Sequence, residues 1–217
     1  MSLPQPPLLL ITDRKQARRP LPDIVAAALT GGCRWISLRE RDLGEDEQVA
    51  LLETLLPVVR RFDARFTLHG EARVAQRCAL DGVHLSANGE PAAARHLLGP
   101  DKLVGISIHS VAEAAALDPT IVDYAIAGPF HETQSKPGYG PALGGAGLAK
   151  IVSAARVPVV AIGGIDAANV PDAVAAGAAG IAGMGGIMRA ADPAEDVRAL
   201  ITALAKTAQR PRYVATP

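Results

Sequence analysis

The chain has little of several features that would narrow a function at once. Of its 217 residues only two are cysteines, Cys33 and Cys78. They form no CxxC pair and no disulfide framework, so they read as two free thiols buried in a protein of the reducing cytoplasm. Aromatic residues make up 3%, which argues against recognition by stacked bases. Neither sign of charge is in excess, since 22 Lys and Arg balance 22 Asp and Glu. A neutral balance leaves no electrostatic footprint for nucleic acid or an anionic membrane. No apolar run is long enough to cross a bilayer. The opening Met1-Ser2-Leu3-Pro4-Gln5 lacks the basic n-region of a signal peptide. The five histidines show neither HxH nor HExxH spacing, which disfavours a zinc site.

What is present is a repeated pattern. Hydrophobic residues make up 49% of the chain, enough at this length for one domain with a large core. Apolar, strand-like runs fall near 8–12, 35–38, 66–69, 82–85, 103–107, 122–127, 157–162 and 180–184. Helix-like stretches follow near 22–30, 45–61, 72–80, 91–98, 111–117, 147–155, 168–176 and 193–206. In the second of these, Val49, Leu52, Leu55, Leu56 and Val59 recur at helical intervals. The last opens on an Asp192-Pro193 cap. Continuous apolar strands alternating with helices indicate a buried parallel sheet. Eight such units predict a closed eight-stranded (β/α)8 TIM barrel. The expected domain covers residues 1–208, with 209–217 as a tail. A doubly wound open sheet is the alternative, but no GxGxxG follows the first strand to support it.

In such a barrel the site gathers where the strands end. Those ends supply Asp13, Ser37, Arg39, Arg41, His69, His84, Ser107 and His109. Arg39 and Arg41 share a parity with Ser37, so all three are expected to face inward. Two converging cations suit a polyanion such as a diphosphate; the competing reading pairs them with Glu40, Asp42 or Glu45. The long sixth loop, Gly128 to Gly145, reads as a lid and adds His131, Glu132, Thr133, Gln134, Ser135 and Lys136. Thr133, Ser135 and Lys136 can hydrogen-bond a phosphate, and His131 can move a proton near neutral pH. Two glycine turns, Gly163-Gly164 and Met184-Gly185-Gly186, follow the seventh and eighth strands. Backbone N–H groups beside glycines form a cup for a phosphate, which is where barrels often place one.

Six short motifs occur in order: Leu10-Ile11-Thr12-Asp13, Leu38-Arg39-Glu40-Arg41, Asp81-Gly82-Val83-His84-Leu85, Gly105-Ile106-Ser107-Ile108-His109-Ser110, Thr133-Gln134-Ser135-Lys136 and Ala161-Ile162-Gly163-Gly164-Ile165. With them the chain resembles the thiamine-phosphate synthase/TenI family over nearly its whole length. The resemblance implies the same barrel and one of two chemistries. A synthase joins hydroxymethylpyrimidine diphosphate to a thiazole phosphate with the help of Mg²⁺. A TenI-type tautomerase shifts a proton on a thiazole phosphate and uses no metal. The resemblance places Arg39, Arg41, Ser107 and Lys136 on the diphosphate side. Thr133, Ser135, Gly163, Gly164, Met184 and Gly185 fall on the thiazole-phosphate side.

The departures from the pattern are specific. The family's synthases carry metal-binding aspartates after strands three and four; here those places hold Gly70 and Asn88, with Glu71 and Glu90 nearby. The tautomerase histidine follows the glycine that ends strand six; here that place is Pro129, and the nearest histidine is His131. The sequence therefore favours a tautomerase that needs no cofactor, with His131 as acid/base and Arg39 and Lys136 assisting. A synthase with a rearranged Mg²⁺ site is the alternative, and a non-catalytic thiazole or thiamine phosphate binder is the third reading. The expected partners are a small-molecule thiazole phosphate and, for a synthase, a pyrimidine diphosphate, with no nucleic acid or membrane and with a homodimer left open.

Overall fold

The computed structural model describes residues 2–133 and 141–208. Eight strands run in parallel: β1 (Leu8–Ile11), β2 (Trp35–Leu38), β3 (Arg65–His69), β4 (Gly82–Leu85), β5 (Leu103–Ile108), β6 (Tyr124–Ala127), β7 (Val159–Ile162) and β8 (Gly180–Gly183). Each pairs with the next and β8 pairs with β1, so the sheet closes into the expected barrel. Side chains alternate in direction along a strand, and the two cores record it. Leu8, Leu10, Ile36, Leu38 and Val83 pack outward under the helices. Leu9, Ile11, Trp35, Tyr124, Ile126, Val160 and Ala182 form a second cluster inside the barrel. One tight interior fit is at Gly105, where a Cβ would lie 2.1 Å from Cζ of Tyr124. Glycine is needed there because the Tyr124 ring occupies the space a side chain would take.

The helical layer comprises α1 (Leu21–Thr30), α2 (Glu45–Arg61), α3 (Ala72–Arg77), α4 (Pro91–Leu98), α5 (Val111–Ala115), α6 (Gly144–Ala154), α7 (Val170–Ala175), α8 (Gly185–Arg189) and α9 (Pro193–Ala208). None of the described helices is long and apolar enough to cross a membrane. The Asp192 cap is present, its Oδ1 accepting from the amides of Ala194 (3.0 Å) and Glu195 (3.1 Å).

Three differences from the sequence reading have local causes. Strand β6 begins at Tyr124 rather than Val122, since the Asp123 carboxylate instead accepts from the Val104 amide at 2.8 Å and from Arg95 at 2.5 Å. Helix α6 begins at Gly144, three residues earlier than expected, despite the poor helix propensity of glycine. Its start is anchored where the Leu143 and Gly144 amides donate to the carbonyls of Pro129 and Phe130. Helix α8 was not expected at all, because five residues beginning Gly-Gly carry no periodic signal. It forms because Ile187 and Met188 are buried, and the Met188 carbonyl accepts from the Arg18 amide.

Candidate functional site

The strand ends are tied together by one carboxylate. Glu40, just past β2, has a side chain only 1% exposed. Its Oε1 accepts from the Thr12 hydroxyl at 2.8 Å and from the Arg14 amide at 3.0 Å. Its Oε2 accepts from Arg14 Nη1 at 3.1 Å. The same guanidinium grips Asp42 through two 2.7 Å bonds, and Lys15 adds a third contact to Asp42. Arg14 thereby holds the Asp42 carboxyl well below the ordinary carboxylate range. Thr12 closes the circuit, its hydroxyl accepting from the Arg39 amide at 2.9 Å. The acidic residues that alternate with Arg39 and Arg41 are thus committed to the β1 side. Glu45 pairs with Arg73 and Arg77.

Arg39 and Arg41 line a cavity of about 1060 Å³ at the C-terminal mouth of the barrel. His69, Asn88, Ser107 and His109 line it on the β3 to β5 side, and Gly163, Gly164, Met184, Gly185 and Arg189 on the β7 to β8 side. Pro129, Glu132 and Thr133 lie between, and Ile11, Ile126, Ile162 and Ala182 provide an apolar floor. In a closed barrel of this strand order, β3 and β4 stand opposite β7 and β8. Polar donors therefore occupy two opposed ends with an apolar middle.

The glycine end is built by backbone geometry. Gly163 and Gly164 have φ of +101° and +61°, a region that side chains rarely adopt. A Cβ on Gly164 would also meet the Glu132 carbonyl at 2.6 Å. The chain turns back tightly here, and the His131 amide donates to the Gly163 carbonyl at 3.0 Å. Across from it, Met184 leads into α8, and Arg189 at the end of α8 donates to Gln16.

Beneath the opposite end lies a column of rings. His69 and His84 stack with centroids 4.1 Å apart, and His84 lies 5.5 Å from Tyr124. Ser37 Oγ contacts His69 Nδ1 at 3.3 Å, and Ser107 Oγ contacts His84 Nε2 at 3.0 Å. Burial pushes the His84 pKa down to about 3, with the charge of Arg41 acting in the same direction. His84 is therefore a neutral imidazole that supports Ser107 from below. Burial also raises the Tyr124 phenol.

The donor set can be tested for a hard divalent ion, which wants anionic oxygens in near-octahedral array. Gly70 offers no side chain, and Asn88 offers one neutral amide oxygen. Glu71 and Glu90 are exposed and do not line the cavity. Among the described residues no three His, Cys, Asp or Glu side chains form a group able to hold a metal. The residues present do not fit a bound Mg²⁺.

Of the residues singled out from sequence, Arg39, Arg41, Ser107, Thr133, Gly163, Gly164, Met184 and Gly185 all line the one cavity. Gln134, Ser135 and Lys136 lie outside the described residues. His131 does not line the cavity; its ring packs on Phe130, centroids 4.4 Å apart. Asp13 is turned to Gln16, at 2.6 Å. Arg189, Glu113 and Asp166 also line the cavity and were missed. Arg189 was hidden because α8 was, whereas the Ser110-x-x-Glu113 capping signature marks Glu113 in the sequence.

The family model described as thiamine monophosphate synthase matches residues 8–187. A protein of Geobacter sulfurreducens, itself named a thiamine-phosphate synthase only provisionally, is 42% identical over 91% of this chain and 93% of its own length. The thiamine-phosphate synthase of Chlorobium luteolum is 39% identical over 95% of this chain and 97% of its own. Among solved structures, the thiamine phosphate pyrophosphorylase of Pyrococcus furiosus superposes with a TM-score of 0.81. It is 31% identical and covers 92% of this chain and 96% of its own.

Replacing Glu40 by Gln turns an acceptor-only group into one whose NH₂ faces donors. We expect a loss of about 1–3 kcal/mol in urea unfolding; an unchanged midpoint would contradict the role given to Glu40. His84 sets a pH dependence. Its folded pKa of about 3 lies below the ordinary 6.5, so between those values the unfolded chain binds the extra proton. Its contribution is therefore complete above about pH 6.5 and is lost as pH falls, by up to about 1.4 kcal/mol per pH unit. His84→Gln should flatten that part of the stability curve between pH 7 and pH 4. Parallel curves for the two proteins would show that His84 is not the titrating group.

Proposed function

This chain belongs to the thiamine monophosphate synthase family, and from that premise we propose that it couples hydroxymethylpyrimidine diphosphate to a thiazole phosphate. The observation that carries the reading is the opposition of two anion-binding ends across one apolar-floored cavity. A reaction between a diphosphate and a monophosphate needs two such ends, and an isomerisation of one monophosphate needs only one. The synthase names of the relatives support the same choice.

In the proposed reaction the pyrimidine CH₂–O bond breaks, and its electron pair leaves with the diphosphate. The thiazole nitrogen supplies the pair for the new C–N bond, so no oxidant or reductant is needed. Arg39, Arg41 and Ser107 hold the leaving diphosphate, and their fixed donors stabilise the charge that grows on it as the bond breaks. Ser107 can donate its hydroxyl proton to an anion because neutral His84 Nε2–H can donate to its oxygen. The turns at Gly163-Gly164 and Met184-Gly185 hold the thiazole phosphate, with Thr133 beside them. The family pattern adds Gln134 and Ser135 to the substrate contacts and Lys136 to the diphosphate side. The apolar floor keeps water from the carbocation before the thiazole nitrogen reaches it.

The tautomerase reading draws no comparable support. Its candidate proton carrier, His131, packs on Phe130 rather than lining the cavity. The assay is direct: both substrates are incubated with the protein and followed by phosphorus NMR. Thiamine phosphate and free diphosphate are expected in equal amounts. Ring isomerisation without coupling would restore the tautomerase, and binding with no turnover would indicate a sensor; either result overturns the proposal.

A further inference from the structure

We infer that the diphosphate end of this cavity is a seat held by the chain's own cations and neutral donors, working without a bound divalent metal. The inference rests on the synthase reading for the identity of the anion and goes beyond it in saying how the charge is balanced. Arg39 and Arg41 face the cavity, while the acids next to them in sequence, Glu40 and Asp42, are held by Arg14. An arginine fork can meet phosphate oxygens through two parallel hydrogen bonds and keeps its charge at any working pH. Ser107 and Asn88 add neutral donors on the same side.

One carboxylate, Glu132, lines the cavity between the two ends, and a single carboxylate is too few to hold a hard divalent ion; the others near the mouth are otherwise engaged or elsewhere. Glu113 caps its own helix, accepting from the His109 amide at 2.5 Å. Asp166 accepts from the amides of Ala168 (2.9 Å) and Asn169 (3.1 Å) beyond β7, on the far side. Asp196 belongs to α9, outside β8. Residues 134–140 and 209–217 contain no Asp, Glu, His or Cys. Among the described residues no three such side chains form a group able to hold a metal. A metal bridging enzyme and diphosphate would need anionic oxygens on the enzyme side, and this side of the mouth offers arginines instead.

The test is calorimetric titration with inorganic diphosphate, once in EDTA and once in excess Mg²⁺, on the intact chain. The wild type should bind in EDTA with a Kd within about threefold of that in Mg²⁺, a difference well under 1.4 kcal/mol. The variant Gly70→Asp/Asn88→Asp supplies the missing charge. Position 70 has room for it, as a Cβ there meets nothing nearer than Leu68 Cγ at 3.5 Å. In EDTA the variant should bind at least about tenfold more weakly than in Mg²⁺, with its circular dichroism unchanged. A wild type that binds only with Mg²⁺, or in neither buffer, overturns the inference. The two proposals fail separately. Coupling activity with Mg²⁺-dependent diphosphate binding keeps the synthase and removes the metal-free seat. Metal-free binding without coupling does the reverse.

Discussion

The site depends on the buried Glu40 carboxylate and the groups that converge on it. It gathers a hydroxyl from β1's end, an amide and a guanidinium from the loop that follows, and holds them against the end of β2. A buried carboxylate without such partners would be costly, and removing one would leave a charge exposed to an apolar interior. With them in place the β1 and β2 ends have one register, fixed further by the bond between Thr12 and the Arg39 amide. Alternation along the extended chain then does the rest. Glu40 and Asp42 turn to the β1 side, and Arg39 and Arg41 turn to the cavity.

The same division runs through the barrel as a whole. At the bottom, Asp81 and Asp123 accept backbone amides of Phe66 and Val104 and hold strands in place. In the middle, Trp35 and Tyr124 meet edge to face with centroids 4.8 Å apart and seal the interior. Above them the stacked imidazoles of His69 and His84 carry polarity up to Ser37 and Ser107. Burial keeps His84 neutral, so it supports the Ser107 hydroxyl without adding charge beneath the cavity. The cavity lies in the top layer, where the strand ends offer donors on two sides and apolar contact between.

Much of this was legible in the sequence because strands buried on both faces read as continuous apolar runs. The eight apolar runs marked the strands, and parity with Ser37 placed Arg39 and Arg41 on the inner face. Gly163 and Gly164 stood out because a turn with positive φ demands glycine. What escaped depends on contacts distant in sequence. Arg14 gave no signal, since its partners lie 26 and 28 residues away. Helix α8 was too short for a period, and Arg189 went with it. His131 looked like a proton carrier because it is the histidine nearest the expected place. No sequence pattern reveals that its ring packs on Phe130. The choice of chemistry was also beyond the motifs alone, since Gly70 and Asn88 weaken one reading and Pro129 the other. The opposed polar ends are visible only once the barrel is closed, and the proposed coupling rests on them.

The most direct measurement is a crystal structure of the protein with thiamine phosphate and diphosphate bound together. The account predicts the diphosphate against Arg39, Arg41 and Ser107, and the ester phosphate in the turns at Gly163-Gly164 and Met184-Gly185. The two rings should lie over Ile11, Ile126 and Ile162. A single phosphate site at the glycine turns, with Arg39 and Arg41 pointing away from any ligand, would contradict it.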